Sequence, residues 1–384
     1  MVVFDVVGVN YVNKGAQLML HAIREQVARG PYPAVTSLNF KLARHGRRQG
    51  DRMPAAIWLE TSRPGRAQAL VRHVGNLLPS AIKKRYALVS DKEISVILDA
   101  SGFLYSDQWG SKGLSRRVAM AELWRDQGKK LILLPQAFGP FERAENRALM
   151  GKLVGLAELV YARDQESYDY LAEVAPGAQN LRLAPDFTNL VKPVLSPEAE
   201  KYRGAVAVVP NQRMLDKQSG EAASNYQDFM VAACRKLREA GKSVFLLLHE
   251  RGDRALAAEL QSRLGNDLDI VFRDDPVELK GIIGQCDFIF ASRFHAIVSA
   301  LSQGVPVIGT SWSHKYRRLY EDYGANELLI STLSQANETF GRILADLCQV
   351  ESRDRINQKL AAAAQLQKQK AAGMWDEIFA VAAC

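Results

Sequence analysis

At 384 residues the chain is longer than one hydrophobic core usually serves, so two domains are expected. Its 47% hydrophobic and 24% charged residues are ordinary for a globular protein, and no apolar run approaches the roughly 20 residues of a membrane-spanning helix. The net charge of +8 is concentrated in residues 41–90, where eleven Lys or Arg face only Asp51 and Glu60, so the rest of the chain is nearly neutral.

Residues 2–9 read as a first strand. Met1 leads straight into it, so no secretory leader is expected. A turn rich in Gly and Asn (8–15) then opens a helix over about 16–28, with Leu18, Met19, Ala22, Ile23 and Val27 on its apolar side. This strand, glycine loop and helix form the entry of a doubly wound unit. The loop has neither GxGxxG nor P-loop spacing, so no nucleotide is expected there. Gly15 fits close backbone packing. Asn10 and Asn13 serve a ligand or the turn equally well.

Residues 35–40 read as a second strand. A helix over 69–89 interleaves Leu70, Val71, Val74, Leu77, Leu78, Ile82 and Leu88 with Arg72, Lys83, Lys84 and Arg85. Such a charge run is a solvated face or a dock for an anionic membrane surface, where each basic side chain contributes about 1 kcal/mol. Nucleic acid is not expected, because aromatics for base stacking are sparse and no recognition motif is present.

Strands follow at 94–98, 130–134, 158–162 and 181–184, separated by helices. They end in polar loops carrying Asp99, Ser101 and Asp107, then Gln136, then Arg163-Asp164, then Asp186. Strict alternation means parallel sheet with helices on both faces. The prolines of 192–197 mark a linker. Alternation restarts with strands at 205–209, ending in Asn211-Gln212-Arg213, at 243–248, ending in His249-Glu250, and at 269–272. The expected organisation is a domain over 1–191, a second over 198–350, and carboxyl-terminal helices over 351–384 that pack Met374, Trp375, Ile378 and Phe379 back onto the first. The fold class is α/β, with two Rossmann-like doubly wound domains facing across a cleft.

The stretch 287–320 organises this reading. A buried strand at 287–291 meets a helix that carries Phe294, Ile297, Val298 and Leu301 at core spacing, with Ser292 at the N-cap position. Arg293 and His295 are delivered to its first turn. Ser299 and Ser302 extend a polar stripe from His295 that is expected to meet the cleft. The next strand, 305–308, ends in a polar loop with Ser311, Ser313, His314 and Lys315. Adjacent strand ends carrying Arg, His and Lys beside a helix N-terminus suit a small, multiply charged anion. The bland alternative is an Arg-x-His that caps a loop or pairs with a carboxylate. Cys234, Cys286, Cys348 and Cys384 have no metal-binding spacing. The first three are expected to be reduced core thiols, which fits a cytoplasmic protein.

Taken in order, NKGAQ at 13–17, DASGF at 99–103, PQAFGPF at 135–141, ARDQES at 162–167, PD at 185–186, NQR at 211–213, SRFHA at 292–296 and the later Lys315 resemble the polysaccharide pyruvyl transferase family. Ala16 stands where that family often has Asp, and Ser101-Gly102 stands for its glycine pair. The resemblance implies a GT-B-like fold and transfer of the enolpyruvyl group of phosphoenolpyruvate (PEP) to sugar hydroxyls as a pyruvate ketal. No cofactor or metal is required.

PEP would lie on Arg213, Ser292, Arg293, His295 and Lys315, with His295 as general acid and Arg293 beside it. Asn13, Gly15, Asp99, Ser101, Asp107, Gln136 and Asp186 would form the acceptor side. Asp99, Asp107 and Asp186 are alternatives for the base, and each could instead cap a loop. The implied acceptor is the repeat unit of a capsule or exopolysaccharide, free or on a polyprenyl diphosphate. The basic, partly apolar segment 63–86 adds the expectation of peripheral docking on the membrane, so that a lipid-linked unit reaches the cleft. The rivals are a nucleotide-sugar glycosyltransferase on the same fold and a family member without turnover.

Overall fold

The computed structural model describes residues 1–39, 43, 56–58, 74, 76–216, 221–310 and 314–383. Contacts divide the chain into two units. The first holds 1–11, 19–187 and 370–384, and the second holds 12–18 and 188–369. The expected boundary at 191–198 therefore falls at 187/188, because Thr188 and Asn189 already bond within the second unit, to Lys280 and Tyr323.

In chain order the first part comprises β1 (Val2–Val7), α1 (Lys14–Arg29), β2 (Ala34–Asn39), β3 (Ala56–Trp58), α2 (Ser80–Tyr86), β4 (Leu88–Val89), β5 (Val96–Asp99), α3 (Lys112–Asp126), β6 (Lys130–Gln136), α4 (Ala144–Leu156), β7 (Leu159–Ala162), α5 (Gln165–Val174) and β8 (Leu181–Leu183). The strands make one eight-stranded parallel sheet in the order β4-β3-β2-β1-β5-β6-β7-β8. Continuous apolar strands such as Val96–Asp99, buried at every position, are what two helix-covered faces demand.

The helix expected over 69–89 is broken where described: residues 74, 76 and 77 are helical, 78–79 interrupt, and the seven-residue α2 and strand β4 follow. Ala87, in the left-handed region at φ 51°, ends α2 and lets the chain reverse into the sheet. Most of 63–75 lies outside the described residues.

The second part comprises β9 (Val206–Val209), α6 (Glu221–Glu239), β10 (Val244–Leu248), α7 (Arg254–Arg263), β11 (Ile270–Phe272), α8 (Pro276–Gln285), β12 (Phe288–Ala291), α9 (Phe294–Leu301), β13 (Val307–Thr310), α10 (His314–Asp322), β14 (Leu329–Ile330), α11 (Ala336–Cys348) and α12 (Val350–Ala383). Its six-stranded parallel sheet runs β11-β10-β9-β12-β13-β14. Counted within the unit this is strand order 3-2-1-4-5-6, the doubly wound arrangement. The winding direction reverses between β9 and β12.

The single helix α12 replaces the expected separate carboxyl-terminal helices: 350–369 belong to the second unit and 370–384 to the first. Within the first unit its end is held by apolar and polar contacts. Trp375 meets Phe187 edge-on, Phe379 meets Phe4 and Tyr32, and Glu377 accepts from Tyr161 at 2.6 Å and from Arg182 at 2.8 Å. Cys234 and Cys286 are buried, but Cys348, at the end of α11, is exposed and is not a core thiol; Cys384 lies outside the described residues. Among the described residues no helix is long and apolar enough to cross a membrane.

Candidate functional site

Ligands of doubly wound sheets bind beyond the carboxyl ends of the strands, where the winding reverses. In the second unit that position lies past Val209 and Ala291, which pair in register. Ser292 does not cap α9 as expected. Its N–H bonds Val209 O at 3.0 Å, its hydroxyl lies 2.6 Å from Thr310 Oγ1 and accepts from Tyr226 at 2.9 Å, and its carbonyl accepts from Asn211 Nδ2 at 2.7 Å and from Tyr316 at 3.1 Å. These bonds fix the ends of β9, β12 and β13 against one another and leave Arg293 at the N-cap, without a side-chain cap bond. Ser299 and Ser302 are buried, so the polar stripe expected to face a cleft stops at His295, which is only partly buried.

Arg293, 8% exposed, donates from Nε to Asp253 Oδ2 at 2.9 Å and from Nη2 to Asp253 Oδ1, and its Nη1 lies 2.5 Å from Glu250 Oε2. Burial opposes its charge, but Asp253 and Glu250 outweigh that and hold its pKa above the ordinary value. Asp253 also accepts the Gln212 N–H at 2.9 Å, which ties the loop after β9 to the same cluster. The expected anion clamp is thus already shared with two carboxylates.

The segment 12–18 belongs to this unit and not to the first domain, where the acceptor side was expected. Asn13 forms an isolated antiparallel bridge with Glu250, and its Nδ2 donates to Glu250 Oε2 at 3.4 Å. Lys14 donates its N–H to His249 O at 3.4 Å and its buried ammonium to Asp274 O at 2.5 Å and Gln17 at 2.8 Å. Burial lowers the Lys14 pKa. His249 is lowered to about 3, first by burial and then by the His295, Arg293 and Lys14 charges, so it is neutral at physiological pH. Gly15 lies against the imidazole of His295.

Arg213 is exposed, with its N–H on Asn211 Oδ1 at 3.0 Å, and Lys315 places its ammonium 5.4 Å from the Phe294 ring centroid. Ser311 and Ser313 lie outside the described residues. Among the described residues no group of three or more His, Cys, Asp or Glu could hold a metal ion.

In the first unit Asp99 is fully buried. It accepts from Ser101 N at 3.0 Å, Ser101 Oγ at 2.5 Å and the Tyr105 hydroxyl, and pairs with Arg117 at 3.0 Å. Gln136 is buried, with Nε2 3.5 Å from Asp99 O. Asp107 accepts from Glu142 N, Arg143 N and Asn146 Nδ2; burial opposes its charge, but these bonds lower its pKa. Asp186 pairs with Arg163 at 3.2 Å. The unit therefore groups Asp99, Ser101 and Gln136, and sets Asp107 and Asp186 in separate polar contacts.

Reasoning from sequence passed over Asp253, Lys14 and Tyr226. Asp253 sits five residues past the end of a strand, where no spacing rule points. Glu250 and His249 were visible as the polar end of a strand, which is the usable signal.

A family model described as polysaccharide pyruvyl transferase matches residues 13–314. No curated protein matches the chain. Among solved structures, Anabaena Alr3699/HepE in complex with UDP and glucose is similar with a TM-score of 0.59 at 14% identity, covering 98% of each chain. UDP-GlcNAc 2-epimerase from Neisseria meningitidis bound to UDP-GlcNAc is similar with a TM-score of 0.57 at 9% identity, covering 95% of this chain and 98% of that one. At such identities the likeness establishes the fold, two Rossmann-like units of the GT-B type.

Proposed function

Because this chain belongs to the polysaccharide pyruvyl transferase family, we propose that it moves the enolpyruvyl group of PEP onto two hydroxyls of a saccharide, forming a pyruvate ketal. The observation that carries the reading is the arrangement at the β9/β12 switch point. A partly buried imidazole on the first turn of α9 stands beside an arginine held by two carboxylates, with Arg213 at the start of the helical turn after β9 and Lys315 in the first turn of α10.

The proposed chemistry follows from the donor. His295 protonates the C3 methylene of PEP, because an imidazole exchanges protons near neutral pH. One acceptor oxygen then bonds to C2 and loses its proton. The second oxygen displaces phosphate from C2, and its proton leaves with the phosphate or restores His295. PEP and a diol thus become a ketal and inorganic phosphate, with no oxidant or reductant. Arg213, Lys315 and the remaining N–H groups of Arg293 meet the carboxylate and phosphate. His249, kept neutral, adds no second charge to the site.

A saccharide repeat unit on a lipid carrier is the proposed acceptor, and the basic α2, with exposed Ile82 and Tyr86 and with exposed Leu77 just before it, is the proposed membrane-facing element. The acceptor base is sought among Asp99, Asp107 and Asp186.

The test is phosphate release from PEP by wild type and His295→Ala on galactosyl, glucosyl and mannosyl acceptors. Acceptor-dependent release that vanishes in the variant supports the reading. No release with any acceptor, together with no PEP protection against heat, refutes it. One observation favours a second reading, a nucleotide-sugar enzyme: both solved structures named above hold UDP or a UDP-sugar. Against it, Glu321, the nearest acid after Lys315, is engaged by Arg318 at 2.7 Å. Heat protection by UDP and not by PEP would decide for it.

A further inference from the structure

We infer that Gly15 is a positioning residue for His295: the absent side chain in the first turn of α1 is the seat of the imidazole. A Cβ built on Gly15 would lie 2.1 Å from His295 Nδ1, 2.5 Å from Cγ and 2.9 Å from Cβ. Turning the ring about its side-chain bonds moves Nδ1 and Cγ but leaves Cβ in place. No rotamer clears the clash, and the backbone of α9 or of the start of α1 would have to shift.

Glycine is not needed here for its backbone. Gly15 lies inside α1 and outside the left-handed region, where alanine is the better helix former. What the position requires is space.

The seat is held rigidly. Asn13 Oδ1 accepts the N–H groups of Gly15 at 2.8 Å and Ala16 at 3.4 Å, which fixes the start of the helix. Lys14 is anchored on the far side by the Asp274 carbonyl, and its ammonium lies 5.4 Å from the Phe272 ring centroid. Asn13 also holds Glu250, which pairs with Arg293, the N-cap of the helix that carries His295. The segment 13–17 therefore constrains both the ring and the helix start that bears it. It is part of the donor-side machinery, although it lies nearly 280 residues from His295 in sequence.

The inference deepens the reading of His295 as the proton donor and rests on it only where activity is measured. The test is a double-mutant cycle in the full chain with Gly15→Ala, His295→Ala and the pair. Three quantities are followed: the melting temperature, the imidazole NMR signals, and acceptor-dependent phosphate release from PEP.

Gly15→Ala is expected to lower Tm strongly in the wild-type background and much less in the His295→Ala background, where the 2.1 and 2.5 Å ring contacts are gone and only the 2.9 Å Cβ contact remains. It should shift the His295 ring signals. It should also lower kcat by about 100-fold, as a misplacement near 1 Å does, while KM for PEP changes far less. A uniform loss of packing would cost the same in both backgrounds. If Gly15→Ala alone fails to fold, a folded double variant establishes the contact.

Equal loss of Tm in both backgrounds, or a Gly15→Ala protein with unaltered ring signals and kcat, overturns the inference. If wild type releases no phosphate with any acceptor, the pyruvyl-transfer reading falls, and the Tm cycle and ring signals still decide the role of Gly15.

Discussion

Replacing Asp253 by Asn tests whether the Arg293 cluster is an ionic scaffold. The substitution keeps shape and removes one charge from a fully buried carboxylate that takes two bonds from Arg293 and one from the Gln212 N–H. An amide there must also turn its NH2 toward a guanidinium or a backbone N–H, so one donor faces another. Breaking a buried ion pair by removing one partner costs about 3–5 kcal/mol. Glu250 stays 2.5 Å from Nη1 and keeps part of the compensation, which places the expected loss near the lower bound, about 3 kcal/mol.

The assay is native-state hydrogen exchange of the amides in β9 and β12, which reports opening of the second unit directly. A loss of about 3 kcal/mol speeds their exchange by roughly two orders of magnitude. If exchange at the Ser292 amide, which bonds Val209 O, changes by less than about 0.5 kcal/mol, the ionic scaffold does not hold the strand ends and the reasoning fails.

Two further outcomes are expected. His249 has a folded pKa of about 3, below its ordinary 6.5, so its neutral form is the one the fold stabilises. The unfolded chain binds the extra proton between those values, and the contribution, complete above pH 6.5, is lost as pH falls at about 1.4 kcal/mol per unit. Urea midpoints of wild type should fall from pH 7 to pH 5 more steeply than those of His249→Gln; parallel slopes would rule the effect out. On α2, Lys83 is occupied by Ser90 and Glu93, so Lys84→Glu with Arg85→Glu is the informative change. It should weaken co-sedimentation with anionic liposomes by about 1 kcal/mol or more per residue without altering Tm, and unchanged binding would remove α2 from membrane docking.

Much of the architecture could be read from the chain, because buried parallel strands write themselves as short apolar runs ending in polar loops. Val206–Val209 and Phe288–Ala291 are such runs, and the residues just past them form the switch-point site. What escaped was set by partners distant in sequence. Ser292 looked like a helix cap, but Tyr226 and Thr310 hold its hydroxyl. The segment 69–89 had helical periodicity throughout, yet sheet pairing with β3 claimed Leu88 and Val89. Gly15 read as a packing glycine or as part of the acceptor side, since nothing local announces that the atom it makes room for belongs to His295. Asp253 was invisible for the same reason: its role exists only once β10 and β12 both flank β9.

The chain also interleaves its two units: residues 12–18 serve the second, and 370–384 return to the first. Neither unit is a continuous stretch of polypeptide. A fragment cut at residue 188 would leave Asn13, Lys14 and Gly15 behind, and its partner fragment would lack Trp375 and Phe379. During synthesis the first unit stays unfinished until residues 370–383 leave the ribosome, although its sheet is made early. A premature stop before residue 370 would thus damage the unit already translated, and residues 370–383 act as a seal on the core of the first unit.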